Sequence, residues 1–348
     1  MTNRKLNVLV VDDSAFMRLL ISDILAEDSD LFVIGSAVDG REAAEKVKNL
    51  KPDVVVLDLM MDNYDGMYAV QKIMHENPCP ILILSAMGNS NLEPIFDALR
   101  HGAVDYINKP VKGGSKMRQL DEELIKKVKS VAKAKPTAVP ELPGRTAPGN
   151  GRKPAKSGDY DIIAIGASTG GPTAIEHIIS ALPGSLAVPV VIAQHMPGNF
   201  IGPFVHRLNN LSPLNVVVGA KGMVPKPGMV IVAPGDANMI VDKGKRSSNA
   251  SISFNSKKFR EYNNPSINAM MLSVARTYGS RSIGVLLTGM GKDGVEGMKA
   301  IRDGGGHTIA QSRKTCVIYG MPKAAVEQGA VEESLDIKDI GRYLVKKT

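Results

Sequence analysis

Three stretches of the chain set a reactive polar side chain on the turn that follows an apolar run. Ser168 lies in Gly166-Ala-Ser-Thr-Gly-Gly171, behind the run 162–166, and Pro172 then fits the first turn of a helix, where a missing N–H costs nothing. A hydroxyl on a strand-to-helix turn, beside the free amides of a helix start, suits a nucleophile with an oxyanion hole. The same residue types also build phosphate-binding turns, and serine is a good N-cap, so Ser168 alone does not decide. A serine nucleophile needs a base. Of the six histidines, His75 and His101 fall in the N-terminal part, His177 lies two to three turns along the helix after Ser168, His206 sits among polar neighbours and His307 follows three glycines. His195 differs, because it directly follows the apolar run that ends at Gln194. The third group must orient the base. Asp293, in Leu286-Leu-Thr-Gly-Met-Gly-Lys-Asp-Gly294, follows a third apolar run, whereas its rival Asp236 sits in an ordinary Pro-Gly-Asp turn. Alone, Asp293 reads as a helix N-cap. Three such positions supplying Ser, His and Asp together predict acyl transfer by Ser168, His195 and Asp293, and their order along the chain carries no mechanistic weight.

A second set lies nearer the N-terminus. Asp12 and Asp13 follow the first apolar run, Asp58 the third, Ser85 the fourth and Lys109 the fifth. Three clustered carboxylates repel one another and call for a hard cation such as Mg²⁺. A lysine and a hydroxyl beside them suit a phosphoryl group carried by one of the carboxylates.

The elements that must position these groups alternate. Strands are expected over 6–11, 31–37, 53–58, 80–84 and 103–107, with helices over 14–27, 40–49, 66–76, 92–100 and 115–133. Short connections between them imply a parallel doubly wound sheet, with its chemistry at the carboxyl ends of the strands. After this, residues 135–154 hold five prolines and three glycines and have nothing to bury, which is linker composition. Alternation then resumes, with strands expected over 162–166, 188–193, 214–218, 229–233, 251–254, 283–287 and 307–310, and helices over 172–181, 200–208, 266–278, 294–303 and 322–328. The fold class is therefore α/β, two doubly wound α/β/α domains with mainly parallel sheets, flavodoxin-like then Rossmann-like. The expected boundaries are 5–125, a linker over 126–158, and 159–348.

Composition narrows the function. The net charge of +8 is concentrated between residues 111 and 157, where 12 Lys/Arg face 4 Asp/Glu; the remainder carries 31 of each sign. A basic tether between neutral domains predicts no nucleic-acid binding. No apolar run approaches the roughly 18 residues of a membrane span, and no signal peptide is visible before the first strand. Two cysteines, Cys79 and Cys316, form no disulfide framework and have no metal-ligand spacing. The cytoplasm is the expected compartment.

Two resemblances add to this reading. Val10-Val-Asp-Asp-Ser14, Leu57-Asp-Leu-Met-Met61 and Asn108-Lys-Pro110 resemble the receiver domain of bacterial response regulators, over roughly 5–125. The resemblance implies phosphorylation of Asp58 and Mg²⁺ held by Asp12, Asp13, Asp58 and the carbonyl of Met60. It implies Ser85 and Lys109 on the phosphoryl oxygens, and Tyr106 at the aromatic switch position. Ile165-Gly-Ala-Ser-Thr-Gly-Gly-Pro172, Ala193-Gln-His-Met-Pro197, Ala233-Pro-Gly235, Leu287-Thr-Gly-Met-Gly-Lys-Asp-Gly294 and Gly320-Met-Pro322 resemble the chemotaxis protein-glutamate methylesterases. That family joins a receiver to such a domain, so the resemblance spans nearly all 348 residues. It implies hydrolysis of glutamate γ-methyl esters on methyl-accepting chemotaxis receptors, glutamine deamidation in many members, and a chemotaxis histidine kinase as phosphodonor. It implies Ser168, His195 and Asp293 as the triad, Thr169 and Met290 as oxyanion-hole residues, no cofactor for the ester hydrolysis, and an unphosphorylated receiver packed over the esterase face. Two positions depart from the family pattern: Asn238 stands where His is usual, and Asn268 where Asp is usual.

Rival readings have their own residues. Gly166-x-x-x-Gly170-Gly171 imitates a dinucleotide turn and Tyr319-x-x-x-Lys323 a dehydrogenase pair, which would make the second domain a nucleotide-binding oxidoreductase. The next strand ends in Gln194-His195, with no acid for a ribose, and Pro322 interrupts the Tyr–Lys interval. A receiver with a non-enzymatic partner-binding output domain is the other alternative.

Overall fold

The computed structural model describes residues 4–85, 92–109, 117–135, 158–243, 249–255 and 265–348, with the side chains of Ser85 and residues 117–120 left aside. The chain divides into two units, Met1–Val139 and Pro140–Thr348.

The first unit runs β1 (Leu6–Val11), α1 (Ala15–Ala26), β2 (Leu31–Ala37), α2 (Gly40–Leu50), β3 (Val54–Asp58), α3 (Gly66–Glu76), β4 (Ile81–Ser85), α4 (Glu93–Arg100), β5 (Asp105–Asn108) and α5 (Met117–Val131). The sheet order is β2-β1-β3-β4-β5, with every pair parallel. Such a sheet is covered on both faces, which is why β3 reads Val-Val-Val-Leu-Asp and is buried throughout. The chain reverses its winding between β1 and β3, so Asp12 and Asp58 emerge side by side. α5 runs to Val131, and Val128 and Val131 are fully buried. Lys129 reaches Asp28 and Asp30, at 3.1 and 2.6 Å. Residues 126–131 therefore belong to this unit rather than to the tether expected from 126 onward. They are the end of the helix expected over 115–133. The Pro/Gly-rich residues 136–157 lie outside the described residues.

The second unit runs β6 (Ile162–Ala167), α6 (Gly171–Ala181), β7 (Val190–Gln194), α7 (Gly198–Leu211), β8 (Asn215–Val218), β9 (Met229–Val232), β10 (Asn238–Lys243), β11 (Ala250–Asn255), α8 (Ile267–Tyr278), β12 (Ser282–Leu286), α9 (Val295–Asp303), β13 (His307–Gln311), α10 (Met321–Glu327), β14 (Glu333–Leu335) and α11 (Ile337–Lys347). Its parallel sheet has the order β14-β13-β12-β6-β7-β9-β8, and β10 and β11 form a separate antiparallel pair. β6, β7 and β12, the three strands that lead to the reactive residues, are neighbours at its centre and buried along their length.

Behind the site the helices that follow Ser168 and His195 are tied together. Arg207 Nε on α7 donates to Glu176 Oε1 on α6 at 2.6 Å, both side chains being buried. Breaking a buried pair leaves a charge without compensation, so Glu176→Ala should destabilise this unit by about 3–5 kcal/mol. On the scaling for a domain of this size that is a fall in Tm of roughly 6–20 °C, readable by calorimetry, with Glu176→Ala/Arg207→Met recovering part of it.

Candidate active site

Ser168 follows β6 directly, half-buried, and its amide donates to the Thr288 carbonyl at 3.0 Å. Its own carbonyl accepts from Gly171 N at 2.7 Å, which closes the turn into α6. His195 follows β7, and its amide donates to Ala167 O at 3.0 Å. The two side chains meet: His195 Nδ1 lies 3.1 Å from Ser168 Oγ. The other ring nitrogen, Nε2, lies 2.8 Å from Asp293 Oδ2. A carboxylate only accepts, so Nε2 carries the proton and Nδ1 presents its lone pair to the serine hydroxyl, an assignment made from the partners.

Asp293 is 1 % exposed and yet heavily satisfied. Its Oδ2 also accepts from Ile267 N at 2.8 Å, and its Oδ1 from Asn268 N at 2.8 Å and Gly294 N at 2.9 Å. Two of these amides open α8, so the carboxylate sits at the positive end of a helix. Burial pushes the Asp293 carboxyl up, but the hydrogen bonds from His195, Asn268 and Ile267 outweigh it and hold it below its ordinary value. It is therefore an anion facing the imidazole. Asp236, the rival acid, is exposed.

Sequence reasoning missed the start of α8 altogether as part of this site, because backbone amides leave no side-chain signature. The two positions that depart from the family pattern, Asn238 and Asn268, also lie in this support. Asn238 is buried and accepts from Ser266 N at 2.7 Å; Asn268 is buried and accepts from Gly297 N at 3.0 Å. Both brace the segment that holds Asp293, and Ser266 Oγ itself points to Asp293 Oδ1 at 3.4 Å.

Thr169 is buried beside Ser168, and Met290 follows Gly289, whose backbone approaches the serine closely. A Cβ at Gly289 would stand 2.7 Å from Ser168 Cβ, so only glycine admits that approach. The Thr288 hydroxyl fixes both sides, donating to Thr169 O at 3.0 Å and accepting from Ile318 N at 2.9 Å. The dehydrogenase-like pair does not form a helical face: α10 begins after Tyr319, and Lys323 pairs with Glu327 at 3.6 Å.

In the first unit Asp12 and Asp58 are buried and Asp13 exposed, with one ligand oxygen of each within 4.8 Å of the others. Lys109 Nζ reaches both Asp58 Oδ2, at 2.7 Å, and Asp12 Oδ2, at 2.8 Å. Burial raises the Asp58 carboxyl above its ordinary value, against the opposing pull of Lys109. Met60 follows β3 with its amide 3.2 Å from Asp58 Oδ1. Ser85 ends β4, opposite Asn108, but its side chain is outside the described residues. Tyr106 is buried in β5, with Lys127 Nζ 5.2 Å from its ring centroid. The three carboxylates, two of them buried, are a hard-oxygen set of the kind Mg²⁺ takes.

A receiver-type sheet with an acidic pocket, joined to a parallel sheet holding serine, histidine and aspartate in hydrogen-bond contact, defines a response regulator with a hydrolase as its output. Comparison with known proteins gives the same class. Residues 163–344 match the family model for the CheB methylesterase, and residues 8–121 that for the response regulator receiver domain. The protein-glutamate methylesterase/protein-glutamine glutaminase of Lawsonia intracellularis is 40% identical, over 96% of this chain and 96% of its own length. That of Thermotoga maritima is 38% identical over 99% of both. The crystal structure of the Thermotoga maritima CheB methylesterase catalytic domain aligns over 54% of this chain and 99% of that one, at a TM-score of 0.53 and 34% identity. The chain belongs to the CheB methylesterase family, carboxylic ester hydrolases joined to a receiver domain. Among the described residues no helix is long and apolar enough to cross a membrane.

Proposed function

We propose that this chain removes methyl groups from glutamate γ-methyl esters of methyl-accepting chemotaxis receptors in the cytoplasm, through Ser168, His195 and Asp293, under control of phosphorylation at Asp58 by a chemotaxis histidine kinase. The observation that carries it is the unbroken relay from Ser168 Oγ through both ring nitrogens of His195 to the anionic Asp293. Ser168 Oγ attacks the ester carbonyl carbon as its proton passes to His195 Nδ1, and Asp293 holds the resulting imidazolium. The oxyanion faces the amides at Thr169 and Met290. Collapse expels methanol, which takes the proton from His195. Water then attacks the acyl-serine as His195 takes its proton, and His195 passes that proton to the departing Ser168 Oγ, which releases glutamate and restores the serine hydroxyl. A glutamine side chain follows the same course with ammonia as leaving group.

In the receiver, Asp12, Asp13, Asp58 and the Met60 carbonyl would hold Mg²⁺, which when bound neutralises charge on the phosphoryl group being transferred. Asp58 accepts that group, Lys109 and Ser85 contact its oxygens, and Tyr106 takes part in the switch. A phosphoryl group adds roughly 1.5–2 negative charges, and a tenfold change in activity needs a differential stability of only about 1.4 kcal/mol between states.

The test is methanol release from methylated receptors, with and without Mg²⁺ and a small phosphodonor. Phosphodonor should label Asp58 and raise the rate at least tenfold. Asp58→Asn should take up no label and stay at the basal rate. Label on another residue, or activation of the Asp58→Asn chain, contradicts the assignment.

A further inference from the structure

We propose that Gln194 is a positioning residue for this reaction, clamping the serine turn to the histidine turn just beyond the point where their strands stop pairing. It rests on the reading of Ser168 and His195 given above. β6 and β7 pair in register up to Ala167 opposite Gln194, so Ser168 and His195 are each one residue past the end of the ladder. The last rung is the bond from His195 N to Ala167 O at 3.0 Å; past it no backbone bond ties the Ser168 turn to the His195 turn among the described residues. The Gln194 side chain supplies the missing rung. Its Nε2 donates to Ser168 O at 3.0 Å and to His195 O at 2.9 Å, one N–H to each carbonyl. The residue is 2 % exposed, so both bonds are made out of competition with water.

The neighbourhood is shaped around this amide. Gln194 Oε1 faces the Cα of Gly171, and a Cβ there would stand 2.1 Å from it. Glycine at 171 therefore makes room for the glutamine. Among the described residues the buried Oε1 finds no donor in return. The amide leaves its oxygen unmatched in order to aim both hydrogens at the two carbonyls, which is the arrangement the clamp requires. Both carbonyls belong to the residues that carry the nucleophile and the base, so the clamp acts on the 3.1 Å separation of Ser168 Oγ and His195 Nδ1.

Misplacement of reacting groups by about 1 Å costs on the order of 10²-fold in rate. Gln194→Met keeps length and removes both donors; kcat for methanol release should fall about 10²-fold, with KM within about threefold of wild type. Gln194→Glu supplies a readout that packing alone would not move. As a carboxylate the new group has no hydrogen to donate, whereas protonated it regains one O–H, and burial raises its pKa into reach. The ratio of its kcat to that of Gln194→Met should therefore climb as pH falls, and taking the ratio cancels any pH dependence common to both variants. Should Gln194→Met fail to fold, Gly171→Ala displaces the same amide from the other side and should show the same selective loss of kcat. Unchanged kcat in the folded variants, a loss confined to KM, or a ratio flat with pH would overturn the clamp. Ser168→Ala run alongside separates the two failures: if it is inactive while the Gln194 variants match wild type, the clamp alone is wrong; if it keeps wild-type activity, the serine reading is wrong.

Discussion

Ser168→Ala is expected to lower kcat for methanol release by about 10⁶-fold, the scale seen when a hydrolase of this type loses its nucleophile. The physical reason is local. His195 Nδ1 has the Ser168 hydroxyl at 3.1 Å, and removing that oxygen leaves the base with nothing to deprotonate except water. The change costs the fold little, since the turn is held by backbone bonds that alanine keeps: Ser168 N to Thr288 O, and Gly171 N to Ser168 O. Unchanged circular dichroism and melting, together with methanol release reduced to the residual level that the oxyanion hole and binding alone supply, are the expected result. Radiolabelled methyl groups on the receptor give the dynamic range this comparison needs.

Asp293→Asn should cost about 10⁴ in kcat, by putting the wrong tautomer at His195. Oδ1 accepts from two amides, Asn268 and Gly294, so the amide oxygen of the new side chain belongs there. Its NH₂ must then occupy the place of Oδ2, facing His195 Nε2 and the Ile267 amide. Donating to Nε2, it drives the imidazole proton to Nδ1, which can then no longer take a proton from Ser168. Against Ile267 N it sets donor to donor, a mismatch of about 1–3 kcal/mol, so this variant should also melt lower, unlike Ser168→Ala. Steady-state kinetics on the two variants, with their melting temperatures, separate an effect on the base from an effect on the nucleophile.

Much of this arrangement was legible because parallel α/β sheets write their chemistry at strand ends. β6, β7 and β12 are buried on both faces and read as unbroken apolar runs, so the polar residues that follow them stand out. The strands missed were of another kind. β14 is three residues, Glu-Ser-Leu, at the edge of the sheet, and β10 follows a Pro-Gly-Asp turn that reads as loop. α11 was missed although Ile337, Ile340 and Leu344 recur at helical spacing and are buried. The support of Asp293 was illegible for a deeper reason: Ile267, Asn268 and Gly294 contribute amides, which any residue but proline would offer. Gln194 was visible only as the absence of an acid at a strand end, and its role depends on strand register that no local pattern contains.

The proposed chemistry turns on one bond, between Ser168 Oγ and the glutamyl carbonyl carbon. Rapid mixing of the phosphorylated chain with a methylated receptor fragment, quenched in acid within the first turnover, should show methanol released in a burst. It should also show a covalent species of the summed mass of chain and fragment less one methanol, mapping by mass spectrometry to the peptide that contains Ser168 and absent from Ser168→Ala. Methanol appearing without a burst and without that species, at an undiminished rate in Ser168→Ala, would mean that water attacks the ester directly and that Ser168 is not the nucleophile.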